Sequence, residues 1–179
     1  MRIGNRALAA LGSLLLLAEG AQAAISGQIQ ARLVISASCE VTHGGSNVPE
    51  SSLGNFGLLD FGQHGPTWNA PLSASISGSG GGRLGVACNP SVTGFTVTIN
   101  GGLNGDGNTR RLSNGSRTIP YRLFLDASRS DSYSIGQQHN FAVTSGAQVP
   151  IPVFGSVVAN TRALPAGVYT DTLTVTLDW

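Results

Sequence analysis

Apolar and polar residues alternate one by one along much of this sequence, and turn residues interrupt the alternation at short intervals. In the stretch 169–179, apolar residues occupy every second position except Asp171, and threonines fill most of the positions between them. Phe95, Val97 and Ile99 alternate with polar residues in the same way. A period of two places successive side chains on opposite faces of a strand, whereas no clear helical period follows the first 23 residues. The pattern therefore predicts an antiparallel all-β domain.

Glycine, asparagine, serine and proline separate the predicted strands. The pair at 114–115, Asn-Gly, is typical of a hairpin turn, because both residues accept a positive φ. Pro150 and Pro152 have no donor N–H, so we expect their strand to run along a sheet edge or to begin irregularly. Short strands at intervals of roughly 8–12 residues favour a sandwich over a barrel. Further candidate strands are Arg83–Cys88, Ile119–Asp126 and Val149–Val158.

The first residues have the order of an export signal. Arg2 and Arg6 give a basic start, and residues 11–17 form an apolar stretch that is too short to anchor a protein in a bilayer. Residues 21–23 (Ala-Gln-Ala) fit the small-x-small pattern at which signal peptidase cleaves. A buried N-terminal helix is the alternative. We predict that residues 1–23 are a cleaved signal peptide and that the mature chain has no membrane span.

Charge is scarce in this protein. Charged residues make up 11% of the chain, and lysine is absent. Beyond the predicted signal, arginines and acidic residues are equal in number. No basic patch is available for a phosphate backbone, so we expect no nucleic-acid partner. A neutral surface also repels identical copies only weakly, which permits dense packing of the protein against itself.

The two cysteines, Cys39 and Cys88, both lie beyond the predicted signal. In an exported protein an even number of cysteines favours a disulfide. The bridge would close a loop of about 50 residues and stabilise the fold by about 4 kcal/mol in the chain-entropy model. A two-cysteine metal site is the alternative, although neither cysteine belongs to a CxxC pair.

Residue patterns typical of catalysis or metal binding are missing from the sequence. His43, His64 and His139 lie in loop-like surroundings without the spacing of metal ligands. The glycine run at 78–82 has neither the Gly-Lys-Ser/Thr ending nor the following helix of a phosphate-binding loop. No G-x-S-x-G nucleophile motif occurs. We therefore expect a protein that is not an enzyme and has no catalytic, cofactor-binding or metal-binding residues.

Residues 25–35 form the most unusual segment of the chain. Every second residue is apolar or small, and most residues between them are polar. An apolar face beside a chain terminus must be buried somewhere. The segment is either the first strand of its own sandwich or a strand that adds to another molecule. Strand addition is favoured by the apolar strand that closes the sequence at Trp179, because an immunoglobulin-like sandwich has one more strand beside it.

Four stretches, in this order along the chain, carry a family resemblance. They are ISGQI at 25–29, LDFG at 59–62, PVFG at 152–155 and GVYTDTLTV at 167–175. Together they resemble the spore coat protein U-like domain family, which includes the subunits of archaic (Csu-type) chaperone–usher pili. Cys39 and Cys88 fall where this family has its disulfide.

The resemblance implies an incomplete immunoglobulin-like β-sandwich that is completed by donor-strand complementation. Residues 24–35 would be the donor strand and residues 36–179 the pilin domain. The implied donor residues are Ile25, Gly27, Ile29, Ala31 and Leu33. The implied acceptor groove is lined by Leu173, Val175, Leu177 and Trp179. A further hypothesis is that Gly27 leaves one acceptor pocket shallow, so that an incoming strand can begin to displace a chaperone there; the alternative is that Gly27 is simply a tolerated small residue.

The resemblance also implies the partners and the function. A periplasmic chaperone would lend a strand, and an outer-membrane usher would exchange that strand for the N-terminal segment of an identical or homologous subunit. The chain would then be a structural subunit of a pilus (fimbrium) on the bacterial cell surface, exported through the periplasm and supporting adhesion and biofilm formation. The alternatives are a small tip adhesin and a spore or cell-coat protein that self-associates without a chaperone.

Overall fold

The computed structural model describes residues 28, 30–43, 46–47, 55–77, 83–144 and 147–179. Within these ranges every regular element is a β-strand, so the predicted all-β class is confirmed. The strands in chain order are β1 (Cys39–His43), β2 (Ser46–Asn47), β3 (Leu58–Leu59), β4 (Leu72–Ser77), β5 (Leu84–Cys88), β6 (Gly94–Ile99), β7 (Arg110–Ser113), β8 (Thr118–Phe124), β9 (Gln138–Ala142), β10 (Gln148–Pro150), β11 (Phe154–Val157) and β12 (Val175–Asp178).

The strands form three antiparallel sheets. One sheet has the order β10-β5-β1-β2, the second β3-β4-β11-β8-β7, and the third β12-β6-β9. All three sheets contribute to a single apolar core, which is the arrangement of a β-sandwich. The buried residues of this core are Leu84, Val86, Phe95, Val97, Ile99, Tyr121, Leu123, Tyr133, Ile151, Val153 and Val157.

The alternation predicted for β6 is confirmed in the structure. Phe95, Val97 and Ile99 are 3%, 0% and 1% exposed, whereas the residues between them are half-buried. Phe95 also stacks on Phe141 of β9, with ring centroids 5.3 Å apart. β6 is therefore the central strand of the three-stranded sheet and gives one complete face to the core.

The predicted turn at residues 114–115 is also confirmed. It connects β7 to β8, whose ladder ends at the pair Ser113↔Thr118. Gly115 has a φ of 87°, which a residue with a side chain rarely adopts. The Asn114 side chain accepts hydrogen bonds from the N–H groups of Ser116 and Arg117, at 3.0 and 2.8 Å, and thereby closes the turn.

The predicted strand Val149–Val158 is in fact two strands in two sheets. β10 lies at the edge of the four-stranded sheet, as expected for a strand that contains Pro150. Ile151 and Val153 are buried between β10 and β11, where the chain passes from one sheet to the other. The N–H of Ile151 bonds to Leu84, and the carbonyl of Val153 accepts a hydrogen bond from Ile76. Pro152, which has no N–H, separates these two anchoring bonds.

Candidate functional site

The first feature of the site is the exposed N-terminal segment. Of the implied donor residues, Ile25, Gly27 and Ile29 lie outside the described residues, as do the predicted signal peptide and the run at 78–82. Ala31 and Leu33 are described, and both are exposed. Residues 30–38 belong to no strand, and the apolar side chains of Leu33, Val34 and Ile35 are 84%, 66% and 75% exposed.

Three consecutive exposed aliphatic residues are uncommon on a folded protein and indicate a surface that binds something. Residues 35–179 form a compact unit of the chain. The whole sandwich lies within this unit.

The second feature is the C-terminal strand β12. It pairs with β6 on one side, in the register Val175↔Ile99 and Leu177↔Val97. In the part of the chain that the structure describes, no strand pairs with its other edge. Leu173 precedes the strand and, like its two apolar residues, is half-buried against the core. The strand therefore offers both an open row of backbone groups and a partly covered apolar face.

The structure brings together three of the four residues implied for the acceptor groove. Leu173, Val175 and Leu177 lie in one row against the core. Trp179 does not join this row: it is 58% exposed and borders a shallow surface pocket with Gly94 and Phe141.

The third feature is the disulfide between Cys39 and Cys88, which confirms the predicted bridge. Its S–S distance is 2.08 Å, and the two residues are the first register pair of β1 and β5. Cys39 is also the residue at which the exposed segment 30–38 ends and the sandwich begins. The bridge therefore fixes the first residue of β1 to a neighbouring strand. Val41, two residues further on, packs against the same core as Leu173.

A cluster of polar residues near β12 was missed by the sequence analysis. We call it the polar plug, and its members are Asn100, Asn104, Arg110, Tyr121 and Asp171. Asp171 is the residue that interrupts the apolar face of the stretch 169–179, and this interruption was its only signal in the sequence. Its carboxylate accepts hydrogen bonds from the Tyr121 hydroxyl (2.7 Å) and from the N–H of Asn104 (3.1 Å).

Arg110 is the buried cation of the polar plug, with 4% of its surface exposed. Its guanidinium donates to the carbonyls of Ile99 (3.0 Å), Asn100 (2.8 Å) and Tyr133 (2.6 Å). Burial lowers the pKa of Arg110, while the nearby Tyr121 and Asp171 act in the opposite direction. The guanidinium stays charged at neutral pH because its ordinary pKa is above 12.

Burial has the opposite effect on the phenol of Tyr121. Loss of solvent raises its pKa well above the ordinary range, and the hydrogen bond to Asp171 raises it further. Tyr121 therefore remains a neutral donor to the carboxylate over the physiological pH range.

Asn100 connects the polar plug to Thr174, the residue directly before β12. Its N–H donates to the carbonyl of Thr174 (3.0 Å), and its side-chain oxygen accepts from the N–H of the same residue (2.9 Å). Four residues earlier, Thr170 exchanges two backbone hydrogen bonds of 2.9 Å with Ser113 at the end of β7. The chain thus crosses from the five-stranded sheet to the three-stranded sheet between residues 170 and 174.

No group of three or more histidine, cysteine, aspartate or glutamate side chains that could hold a metal ion occurs among the described residues. His64 contacts the carbonyl of Phe61 at 2.6 Å, and His139 packs edge-on against the ring of Tyr133. The described part of the chain also contains no helix that is long and apolar enough to cross a membrane.

Comparisons with known proteins identify a family and a solved structure that resemble this chain. The family model of the Spore Coat Protein U domain matches residues 25–176. No curated protein matches the chain significantly. A similar solved structure is the crystal structure of the CsuC–CsuE chaperone–tip adhesion subunit pre-assembly complex from archaic chaperone–usher Csu pili of Acinetobacter baumannii. It shares 23% identity, with a TM-score of 0.48, and the match covers 81% of this chain and 40% of that chain.

Proposed function

Because this chain belongs to the Spore Coat Protein U domain family, we propose that it is a structural subunit of a chaperone–usher pilus. In this proposal, the N-terminal segment of one copy adds as a strand to the sandwich of the next copy. Assembly then needs binding energy alone, so the protein acts without catalysis or a cofactor.

The observation that carries the proposal is that the described part of the chain has both an exposed apolar segment and a strand edge without a partner. Residues 30–38 expose apolar side chains outside any strand, and β12 has one edge without a strand partner among the described residues. Strand addition would satisfy both, since main-chain hydrogen bonds would fill the edge and alternate side chains would cover the apolar row. Each large aliphatic residue buried in this way contributes about 1.5–3 kcal/mol before ordering costs.

The proposed donor residues are the five in the alternating row: Ile25, Gly27, Ile29, Ala31 and Leu33. The proposed acceptor row is Leu173, Val175 and Leu177, with Trp179 beyond its end. Strand addition between copies also agrees with the scarcity of charge, because a chain with 11% charged residues and no lysine repels its own copies weakly.

Two further partners follow from this mode of assembly. A sandwich that lacks a strand is prone to aggregate at its open edge before a neighbour arrives. We therefore propose that a periplasmic chaperone covers β12 temporarily, and that an outer-membrane usher exchanges the chaperone strand for the next subunit. The resulting fibre would lie on the cell surface and support adhesion and biofilm formation.

Fibre assembly by the full chain tests the proposal. Cells that express the chain with its chaperone and usher are examined by electron microscopy. Their fibres are also run on gels, where polymers of subunits form a ladder of bands that heating abolishes. Leu33→Asp is expected to abolish fibres, because a charge would enter the apolar row. The matched control is Arg32→Ser, whose side chain is on the other face of the segment and which should leave fibres intact.

Fibres of normal number and stability in the Leu33→Asp variant would contradict strand addition by this segment. The coat-protein alternative would then be favoured, because it does not need the N-terminal strand for a partner.

A further inference from the structure

We infer that the polar plug sets the register of the incoming strand, because it ends the apolar row of the acceptor at Asp171. This inference rests on the proposed strand addition and assigns to Asp171 a role in specificity.

The apolar row is short and has a defined end. Leu177, Val175 and Leu173 face the core at successive alternate positions, and the next inward position is Asp171. An incoming strand can therefore bury apolar side chains against three positions of this row. At the fourth position it meets a half-buried carboxylate instead.

The carboxylate of Asp171 is held firmly in this position. Tyr121 and Asn104 donate to its two oxygens, and the side-chain amide of Asn104 also donates to the carbonyl of Thr170 (2.9 Å). Gly102, with a φ of 81°, lies so close to the carboxylate that there is no space for a side chain at that position. A shift of Asp171 would leave the Tyr121 hydroxyl buried without its acceptor.

The backbone groups on the N-terminal side of Asp171 are also unavailable to an incoming strand. Thr170 is already bonded in both directions to Ser113, so the free edge that begins at β12 ends where the chain crosses to the other sheet. The apolar row and the free backbone edge thus end at the same place in the chain. A strand that slips by two residues toward the plug would press an apolar residue against a carboxylate and lose main-chain partners at once.

Engineered cysteine pairs can measure the register in assembled fibres of the full chain. The sequence has only two cysteines, and both are in the Cys39–Cys88 disulfide, so new pairs report without interference. Arg32→Cys is combined in turn with Thr172→Cys, Thr174→Cys and Thr176→Cys. All four positions are exposed, and a disulfide forms only between cysteines that are close neighbours on adjacent strands.

One of the three pairs is expected to give intermolecular cross-links at least about tenfold more often than the others. In the background Asp171→Leu with Tyr121→Phe, the apolar row is extended, and the Tyr121 hydroxyl that would lose its acceptor is removed as well. A second cysteine pair, in which the C-terminal cysteine lies two residues away from that of the first pair, is then expected to cross-link at comparable yield. Asp171→Asn keeps the shape and an acceptor oxygen, so it should keep the single register.

The matched control is Asp106→Leu, which removes a carboxylate partnered by Arg111 in a loop outside the row and should not move the register. If several registers are equally populated without any change to the plug, or if the extended row keeps a single register, the plug does not set it. If no pair cross-links between molecules, strand addition itself fails, which is a separate result.

Discussion

The two ends of the described chain carry the same sequence pattern but have different structures. Residues 171–178 alternate between half-buried and exposed positions, and β12 is paired with β6. Residues 30–35 are the last part of the alternating stretch 25–35, yet residues 30–38 are all exposed and none of them is in a strand. Leu177 packs against the core, whereas Leu33 is 84% exposed.

The difference shows what an alternating pattern can and cannot specify. Alternation predicts that a segment has one apolar face suited to a strand. It does not say which molecule supplies the neighbouring strand. The C-terminal stretch finds its partner within the domain, and we propose that the N-terminal stretch finds its partner in another copy.

The largest expected difference in stability is between two leucine-to-aspartate substitutions, one at each end of the described chain. Leu177→Asp places a carboxylate in the half-buried row and should cost at least about 3 kcal/mol of unfolding free energy, or prevent folding. Leu33→Asp should change the unfolding free energy of the unassembled chain by less than about 0.5 kcal/mol, since its side chain is already in water. Urea titrations followed by circular dichroism would measure both. Equal losses would mean that residue 33 is part of the core of its own domain.

The disulfide begins at Cys39, where the exposed segment 30–38 ends, and its removal is expected to have the next largest effect. The cysteines are 49 residues apart, and a loop of that size corresponds to about 4 kcal/mol in the chain-entropy model. Replacing both cysteines with serine should therefore lower the urea midpoint substantially. The control is the original chain under reducing conditions, which should show the same shift. An unchanged midpoint would show that β1 is held by its pairing with β5 alone.

A smaller, pH-dependent effect is expected from Tyr121 in the polar plug. Its pKa is raised in the folded state by burial and by its bond to Asp171, whereas an unfolded tyrosine ionises near pH 10, about its ordinary value. The folded state thus binds more protons above that pH. The stabilisation is complete below about pH 10 and is lost as the pH rises further.

Tyr121→Phe tests this prediction through unfolding free energies measured between neutral and strongly alkaline pH. The variant should lose about 1–3 kcal/mol at neutral pH, because a buried bond to a charged group is removed. Its unfolding free energy should fall less steeply at alkaline pH than that of the original chain. Part of the decline should remain, because burial also raises the pKa of Tyr133. Identical pH profiles would contradict the role of Tyr121.

The smallest effect is expected for the exposed pair Asp106–Arg111, whose charged atoms are 2.7 Å apart. The hydrogen bond from Arg111 lowers the pKa of Asp106, but water and salt screen such surface pairs. Asp106→Asn should therefore leave the melting temperature at physiological salt unchanged within error, in contrast to Asp171→Ala. A clear loss of stability from Asp106→Asn would mean that the loop contributes more than its exposure indicates.

Much of the fold could be predicted because it depends on local signals. The period of two predicted which residues of β6 and of the C-terminal stretch face inward, and the Asn-Gly pair predicted a hairpin turn. The even cysteine count, in a chain predicted to be exported, predicted the disulfide. These features need only neighbouring residues or a simple count.

The features that were missed depend on contacts between distant residues. One apolar run, 149–158, supplies two sheets, and nothing local says where the chain crosses between them. The polar plug joins Arg110, Tyr121 and Asp171, which come from three separate parts of the sequence. Asp171 interrupted an otherwise apolar face, and such an interruption indicates a buried polar partner without identifying it.

Peptide complementation tests whether residues 24–35 supply the strand that the sandwich lacks. A chain of residues 36–179 is purified with its chaperone and mixed with a peptide of residues 24–36, and chaperone release and the melting temperature are followed. We expect the peptide to displace the chaperone and to raise the melting temperature by more than about 10 °C, whereas the same peptide with Leu33→Asp should do neither. A chain of residues 36–179 that is already a stable monomer and does not bind the peptide would contradict strand addition, because its sandwich would then be complete without a neighbour.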